Sequence, residues 1–328
     1  MISTQPLAGG FSVRHPTWDD LPAALALTII CDNALGDAGD FSLEELRNEW
    51  RVIDLERDAW LVFAPDGTLV GCGMLRLWAG VQHVGDTCVH PDFYERGIGS
   101  LLLRVAEERA RERLAEAPAG ARVTIRQYVT GATVPAGQLF ASLGYARVRT
   151  YWRMGIELSA PPAEPAWPAG IGVRIFVRGQ DERPTFAASD EAFEDHFGHV
   201  PSNFEDWVER RLGGGDFDPG LWFLAVEGET IAGIVLCHGT REAEGMVETL
   251  GVRRAWRGRG LGKALLLQAF GAFHRRGKRA VRLYVDSQNL TGATRLYERA
   301  GMHVEREFVD YEKELRPGVE LARQSLAS

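Results

Sequence analysis

Val247-Glu248-Thr249-Leu250-Gly251-Val252, followed by Arg257-Gly258-Arg259-Gly260-Leu261-Gly262 and a long apolar-periodic run, decides how this chain is read. The first six residues suit a β-strand. The next six suit a tight turn that opens a helix on glycine. That order gathers backbone N–H groups where a pyrophosphate can be held. A worn copy lies upstream as Val84-Gly85-Asp86-Thr87-Cys88-Val89, then Tyr94-Glu95-Arg96-Gly97-Ile98-Gly99. One chain carries the same device twice, and the arginines of its turns read as anion ligands.

The rest of the chain repeats around that device. At 328 residues it exceeds one ordinary domain and suits two of roughly 160 residues each. Phe11-Ser12-Val13-Arg14 answers Ile171-Gly172-Val173-Arg174, and Leu139-Phe140 with Gly144 answers Leu296-Tyr297 with Gly301. Between the halves, residues 159–170 hold four prolines and few core candidates. They predict an extended, semi-stiff linker. Domains over 1–158 and 171–328 are therefore expected. Each half predicts the order β-α-α-β-β-β-α-β-α-β, with a capping box opening the second helix at Ser42 to Glu45 and at Ser202 to Glu205. An α/β (α+β) fold follows, with a mixed sheet flanked by helices.

Composition narrows the class. Hydrophobic residues at 45% and charged residues at 25% fit a soluble globular enzyme. No apolar run reaches the roughly 18 residues of a membrane span, and residues 1–10 lack the basic start and apolar stretch of a secretory signal. A net charge of −8 argues against a nucleic-acid partner. Cys31, Cys72, Cys88 and Cys237 form no C-x-x-C pair, so four reduced thiols in a cytoplasm are expected, with no metal.

Three glycine-rich devices compete for the turn. A Walker A loop fails because Arg257 takes the first glycine position and Ala264 the Ser/Thr position. The dinucleotide fingerprint fails because the glycines are Gly258, Gly260 and Gly262, and the preceding strand is the fourth of its half. The chain instead resembles the GNAT superfamily of acyl-CoA-dependent N-acetyltransferases, whose signature [QR]-x-x-G-x-[GA] is met by Arg257 to Gly262. The later signature is present too, as Asn289 after the fifth strand and Tyr297 ahead of Gly301. Tandem GNAT domains are thus implied, each with a mostly antiparallel sheet whose fourth and fifth strands splay.

The resemblance implies acetyl-CoA as co-substrate. Its pantetheine would bond beside Leu250, Gly251 and Val252, and its pyrophosphate would meet the N–H groups of Arg257, Gly258, Arg259, Gly260, Leu261, Gly262 and Lys263. Asn289 and Ala293 would border it. Glu248 is the candidate base, since strand alternation places residues 246, 248, 250 and 252 on one face. Some family members carry the glutamate two residues earlier, where this chain has Met246. A strand carboxylate paired with an arginine is the plainer alternative for Glu248. Tyr297 is the candidate acid toward the departing thiol, with half-buried packing its plainer alternative. A backbone N–H near Leu250 would serve the developing oxyanion.

Offsets of 163 and 157 residues place Gly85 opposite Glu248, Ala132 opposite Asn289 and Phe140 opposite Tyr297. The N-terminal half reads as catalytically degenerate and the C-terminal half as catalytic. Val89, Arg96, Gly97 and Gly99 remain as a candidate second cofactor site. Specificity should come from the first two helices of the second half, where Asp195, His196 and His199 suit a cationic or polyhydroxylated small-molecule amine. Tandem GNAT proteins of this length include an enzyme acting on the cysteinyl amine of a glucosaminyl-inositol thiol. An antibiotic or polyamine acceptor competes with it, as does a non-catalytic acyl-CoA sensor. A monomer or homodimer without a nucleic-acid or membrane partner is expected.

Overall fold

The computed structural model describes residues 9–36, 41–130, 133–200, 203–215, 217–239, 243–289 and 292–322. The chain divides into two compact units, Met1–Arg149 with Phe308–Leu321 and Thr150–Glu307 with Ala322–Ser328.

The first unit runs β1 (Ser12–Arg14), α1 (Leu21–Ala34), α2 (Leu43–Arg51), α3 (Leu55–Asp58), β2 (Ala59–Phe63), β3 (Leu69–Trp78), β4 (Gln82–Val89), α4 (Ile98–Glu112), β5 (Val123–Thr130) and α5 (Val134–Ser142). The second unit runs from within β6 (Ala146–Glu157) through β7 (Gly172–Ile175), α6 (Glu182–Phe193), α7 (Phe204–Leu212), β8 (Trp222–Glu227), β9 (Thr230–His238), β10 (Glu244–Val252), α8 (Leu261–Arg275), β11 (Ala280–Asp286) and α9 (Ala293–Arg299). The last strand is β12 (His303–Arg316).

These units are not coextensive with the sequence halves. The strand that ends the first half, β6, pairs antiparallel with β11 from Tyr151 opposite Asp286 to Glu157 opposite Ala280, and so belongs to the second unit. Residues of β12 from Phe308 onward pair with β5 and complete the first unit. Packing explains the assignment of β6: Met154 is fully buried, and with Leu158 it joins the core formed by Val281, Leu283 and α8. The proline-rich stretch has no regular structure, yet Trp167 within it packs on that same core.

Among the described strand pairings within each unit, one between named strands is parallel and the others are antiparallel. The fourth strand of each, β4 or β10, runs parallel to the fifth for three residue pairs only: Gln82 to Val84 with Thr124 to Arg126, and Glu244 to Met246 with Ala280 to Arg282. Beyond those pairs the two strands part. In the second unit this leaves the β11-facing edge of β10 open from Val247 to Val252.

Helices cover both faces of the second unit's sheet. On one face α8 buries Leu265, Phe270 and Phe273 against Val235, Cys237 and Val247. Phe270 and Phe273 are both fully buried, and each stabilises the fold by roughly 1.5–3 kcal/mol through the apolar area it removes from water. On the other face α6 and α7 pack Ala188, Trp207 and Leu212 on Trp222, Leu224 and Ile234. The expected capping box at Ser42 is formed, with Ser42 Oγ accepting from the Glu45 N–H. Ser202 lies outside the described residues; α7 is instead capped by Asn203, whose side-chain oxygen accepts from the Asp206 N–H.

Candidate active site

The strand that carries the candidate base is bulged at that residue. Along β10, Val247 stands opposite Cys237 and Thr249 opposite the next residue, Leu236, so Glu248 is the extra residue of a β-bulge. The bulge breaks the alternation expected from the sequence. Val247, Leu250 and Val252 face the α8 core. Glu248 turns to the opposite side, where its carboxylate pairs with Arg211 of α7. Residues 248 and 250 therefore do not share a face. The Glu248 side chain remains 46% exposed, so it can still be reached.

The glycine turn keeps the expected backbone and uses its arginines differently. Gly258 and Gly260 hold φ of +76° and +84°, and open space lies where a Cβ would point from each. The first bond of α8 is from the Ala264 N–H to the Gly260 carbonyl. The N–H groups of Leu261, Gly262 and Lys263 therefore have no acceptor within the helix, and its dipole is positive there. Gly262 serves close packing: a Cβ would sit 2.8 Å from Leu296 Cδ1 of α9. The Arg257 side chain is engaged within the protein. Its guanidinium donates to the carbonyls of Val252 and Ala192 and to Asp195, tying the turn to the end of α6. Arg259 reaches toward Glu227 at 3.5 Å, and Lys263 is exposed.

Tyr297 is 8% exposed within the α8 core, and burial pushes its hydroxyl up to about 12. Ala293 begins α9 and packs on the same core. Asn289 closes the turn after β11, its N–H donating to the Asp286 carbonyl. Gly251 allows α6 to approach, since a Cβ there would lie 2.9 Å from that of Ala192.

The acids that the sequence offered as amine ligands are largely spent on arginines. Glu191 accepts from Arg253 and from the Arg254 N–H, and Asp195 accepts from Arg254 and Arg257. The hydrogen bond from Arg254 holds Asp195 below the usual carboxylate range. The His196 ring lies 4.5 Å from that of Phe193, tilted 53° to it, and burial lowers its pKa against the raising influence of Asp286. His199 Nε2 lies 3.5 Å from Asp190. Among the described residues no group of three or more His, Cys, Asp or Glu is placed to hold a metal, and no helix is long and apolar enough to cross a membrane.

The first unit repeats the scaffold without the bulge. β4 pairs with β3 in unbroken register, and Gly85 stands opposite Leu75 as Val247 stands opposite Cys237. Glu248 thus has no counterpart in β4, which refines the simple residue offset. Gly85 has no room for a Cβ because the Gln127 side-chain amide lies against it, beside the parting strands. The turn backbone survives, with Glu95 at φ +61° in the place of Gly258 and Gly97 at +80° in the place of Gly260. Glu95 thereby brings an exposed acidic residue into the turn of the first unit. Val89 ends β4, Gly99 lies against Leu139, and Arg96 sits 5.0 Å over the Phe93 ring. Phe140, opposite Tyr297, is buried, and Ala132 lies outside the described residues.

Two units, each with parted fourth and fifth strands and a fourth strand leading into a glycine-capped helix, have the build of an acyl-CoA-dependent transferase. The sequence profile of the acetyltransferase (GNAT) family matches residues 29–145 and 181–302. The chain belongs to that family, whose members use acetyl-CoA as co-substrate, and it is an N-acetyltransferase of tandem GNAT build. It is 34% identical to a mycothiol acetyltransferase of Streptomyces scabiei over 315 residues, covering 92% of this chain and 94% of that protein. A mycothiol acetyltransferase of Thermobispora bispora is 34% identical over 223 residues, 66% of this chain and 71% of that one. Among solved structures, a GCN5-related N-acetyltransferase from Sphaerobacter thermophilus is 42% identical with a TM-score of 0.84, covering 95% of this chain and 98% of that one. A tandem GNAT protein from the clavulanic acid biosynthesis pathway, 19% identical, shares the fold with a TM-score of 0.72 over 94% of this chain and all of that one.

The sequence reading missed Arg211. Nothing local marks it, because its pairing with Glu248 joins residues far apart in the chain.

Proposed function

We propose that the second unit moves an acetyl group from acetyl-CoA to the primary amine of a small molecule by direct attack, and that the first unit keeps the fold without the chemistry. The supporting observation is the β10 bulge, which turns Glu248 out beside the parted strands in the second unit and has no equivalent in the first. Acetyl-CoA, when bound, supplies an activated thioester. The open edge of β10 at Leu250, Gly251 and Val252 suits a pantetheine arm added like a strand. The N–H groups of Leu261, Gly262 and Lys263, bared by the open glycine turn, suit a pyrophosphate. Asn289 and Ala293 border the same end of α9 and β11.

Glu248 takes the proton from the acceptor's ammonium, whose pKa of about 10 otherwise keeps it from attacking at neutral pH. The Leu250 N–H donates to the developing oxyanion. Tyr297 donates a hydrogen bond to the departing sulfur. Because its hydroxyl sits at about 12 and a free thiol near 8.5, complete transfer of its proton would be uphill by roughly 5 kcal/mol. Tyr297 therefore acts as a hydrogen-bond donor to the sulfur, and the leaving thiolate takes its proton from the nitrogen of the collapsing tetrahedral adduct.

The names of the relatives make the cysteinyl amine of a glucosaminyl-inositol thiol the first acceptor to test, ahead of antibiotics and polyamines. Glu248→Gln is expected to lower thiol release from acetyl-CoA by about 100-fold or more while calorimetric binding of acetyl-CoA stays unchanged. Full turnover by the Glu248→Gln, Tyr297→Phe double variant would place the chemistry elsewhere. Binding of acetyl-CoA without thiol release for any amine would instead mark a sensor.

A further inference from the structure

Glu248 meets the acceptor already paired with Arg211 through one carboxylate oxygen. An ammonium that takes over that oxygen displaces the guanidinium, whose side chain is 23% exposed, and leaving it there without a partner is disfavoured. The neighbouring residues deepen the problem. Arg210 stands beside Arg211, and burial together with the Arg211 charge holds its guanidinium below the usual value against the raising influence of Asp206, Glu209 and Glu248. The other charged groups of this face are engaged: Arg282 with Glu244 and Glu305, Asp195 with Arg254 and Arg257, and His199 with Asp190. What α7 presents to the candidate base is therefore basic, contrary to the acidic surface that the sequence suggested.

We infer that the acceptor is an amino carboxylate, whose carboxylate takes over Arg211 as its amine takes over Glu248. Such a molecule exchanges one ion pair for two, so no charge is stranded. The guanidinium fork suits a carboxylate in two-bond contact, which a lysine in the same place would not reproduce. In this arrangement Arg211 holds Glu248 in place before binding and contacts the substrate afterwards. The inference rests on Glu248 as the base.

The test uses the full chain with L-amino acids, their methyl esters, the matching decarboxylated amines, polyamines, aminosugars and the cysteinyl glucosamine-inositol. Thiol release and calorimetric binding are both read. The free acid is expected to exceed its ester by about tenfold in kcat/KM and in affinity. Arg211→Gln should abolish that ratio and Arg211→Lys restore part of it, whereas a merely structural role would lower acid and ester alike. An ester, a decarboxylated amine or the cysteinyl glucosamine-inositol that matches or exceeds every free acid overturns this inference alone. Thiol release with no amine at all overturns the proposed function and this inference together.

Discussion

Expression of the second sequence half alone, residues 159–328, is expected to yield no stable domain. The fragment keeps the linker, the glycine turn and both candidate catalytic residues, yet it lacks β6. That strand pairs with the full length of β11, from Ala280 to Asp286. Its hydrogen bonds contribute about 0.5–1.5 kcal/mol each, but ordering a strand costs about 1–2 kcal/mol per residue, so the two nearly cancel. The apolar term decides. Met154, at 0% exposed, and Leu158, at 6%, both leave the core, and losses of this kind cost about 2–5 kcal/mol apiece. Together they consume most of the 5–15 kcal/mol that typically holds a domain folded. The bared edge of β11 would also invite aggregation. Urea unfolding followed by circular dichroism, with acetyl-CoA binding by calorimetry, compares this fragment with residues 146–328, which regain β6. A cooperative transition for 159–328 within about 1 kcal/mol of the longer fragment, with acetyl-CoA bound equally well, would refute the reasoning.

Other outcomes follow from single sites. Gly262→Ala is expected to cost about 1–3 kcal/mol by crowding Leu296; an unchanged urea midpoint would show that α9 yields freely. Tyr297→Phe should lower kcat about tenfold with acetyl-CoA affinity intact, and a loss of affinity instead would give the hydroxyl a binding role. In the first unit, burial and the nearby Arg113 hold His83 down at about 4. Its folded pKa lies below the unfolded value near 6.5, so the stability it confers is present above pH 6.5 and lost as pH falls through about 4. Between pH 7.5 and 4.5 that loss amounts to roughly 2–3 kcal/mol. His83→Gln should flatten the pH dependence of the urea midpoint by that amount, and an unaltered slope contradicts the assignment.

Element order, the doubled glycine turn and the family were legible in the chain because their signals are local. A helix period, a strand period, and glycines that must hold φ near +80° at Gly97 and Gly260 all lie within a few residues of what they control. The replacement of Tyr297 by Phe140 was legible for the same reason, whereas the sequence offset put Gly85 opposite Glu248 and the register puts it opposite Val247. Three features were not. Alternation along β10 assumes an unbroken period of two, and the bulge that turns Glu248 toward α7 shows only in the register with β9. The partners of the charged residues around the turn were hidden because charge alone says nothing of them; Asp195 meets Arg257 only once α6 packs on β10. The destination of β6 was equally hidden, since strand pairing is set by which apolar surface Met154 can fill and not by proximity in sequence. Sequence by itself determined the scaffold and the co-substrate. Tertiary structure alone decided which charge faces the candidate base, because ion pairs and strand register join residues that the chain keeps far apart.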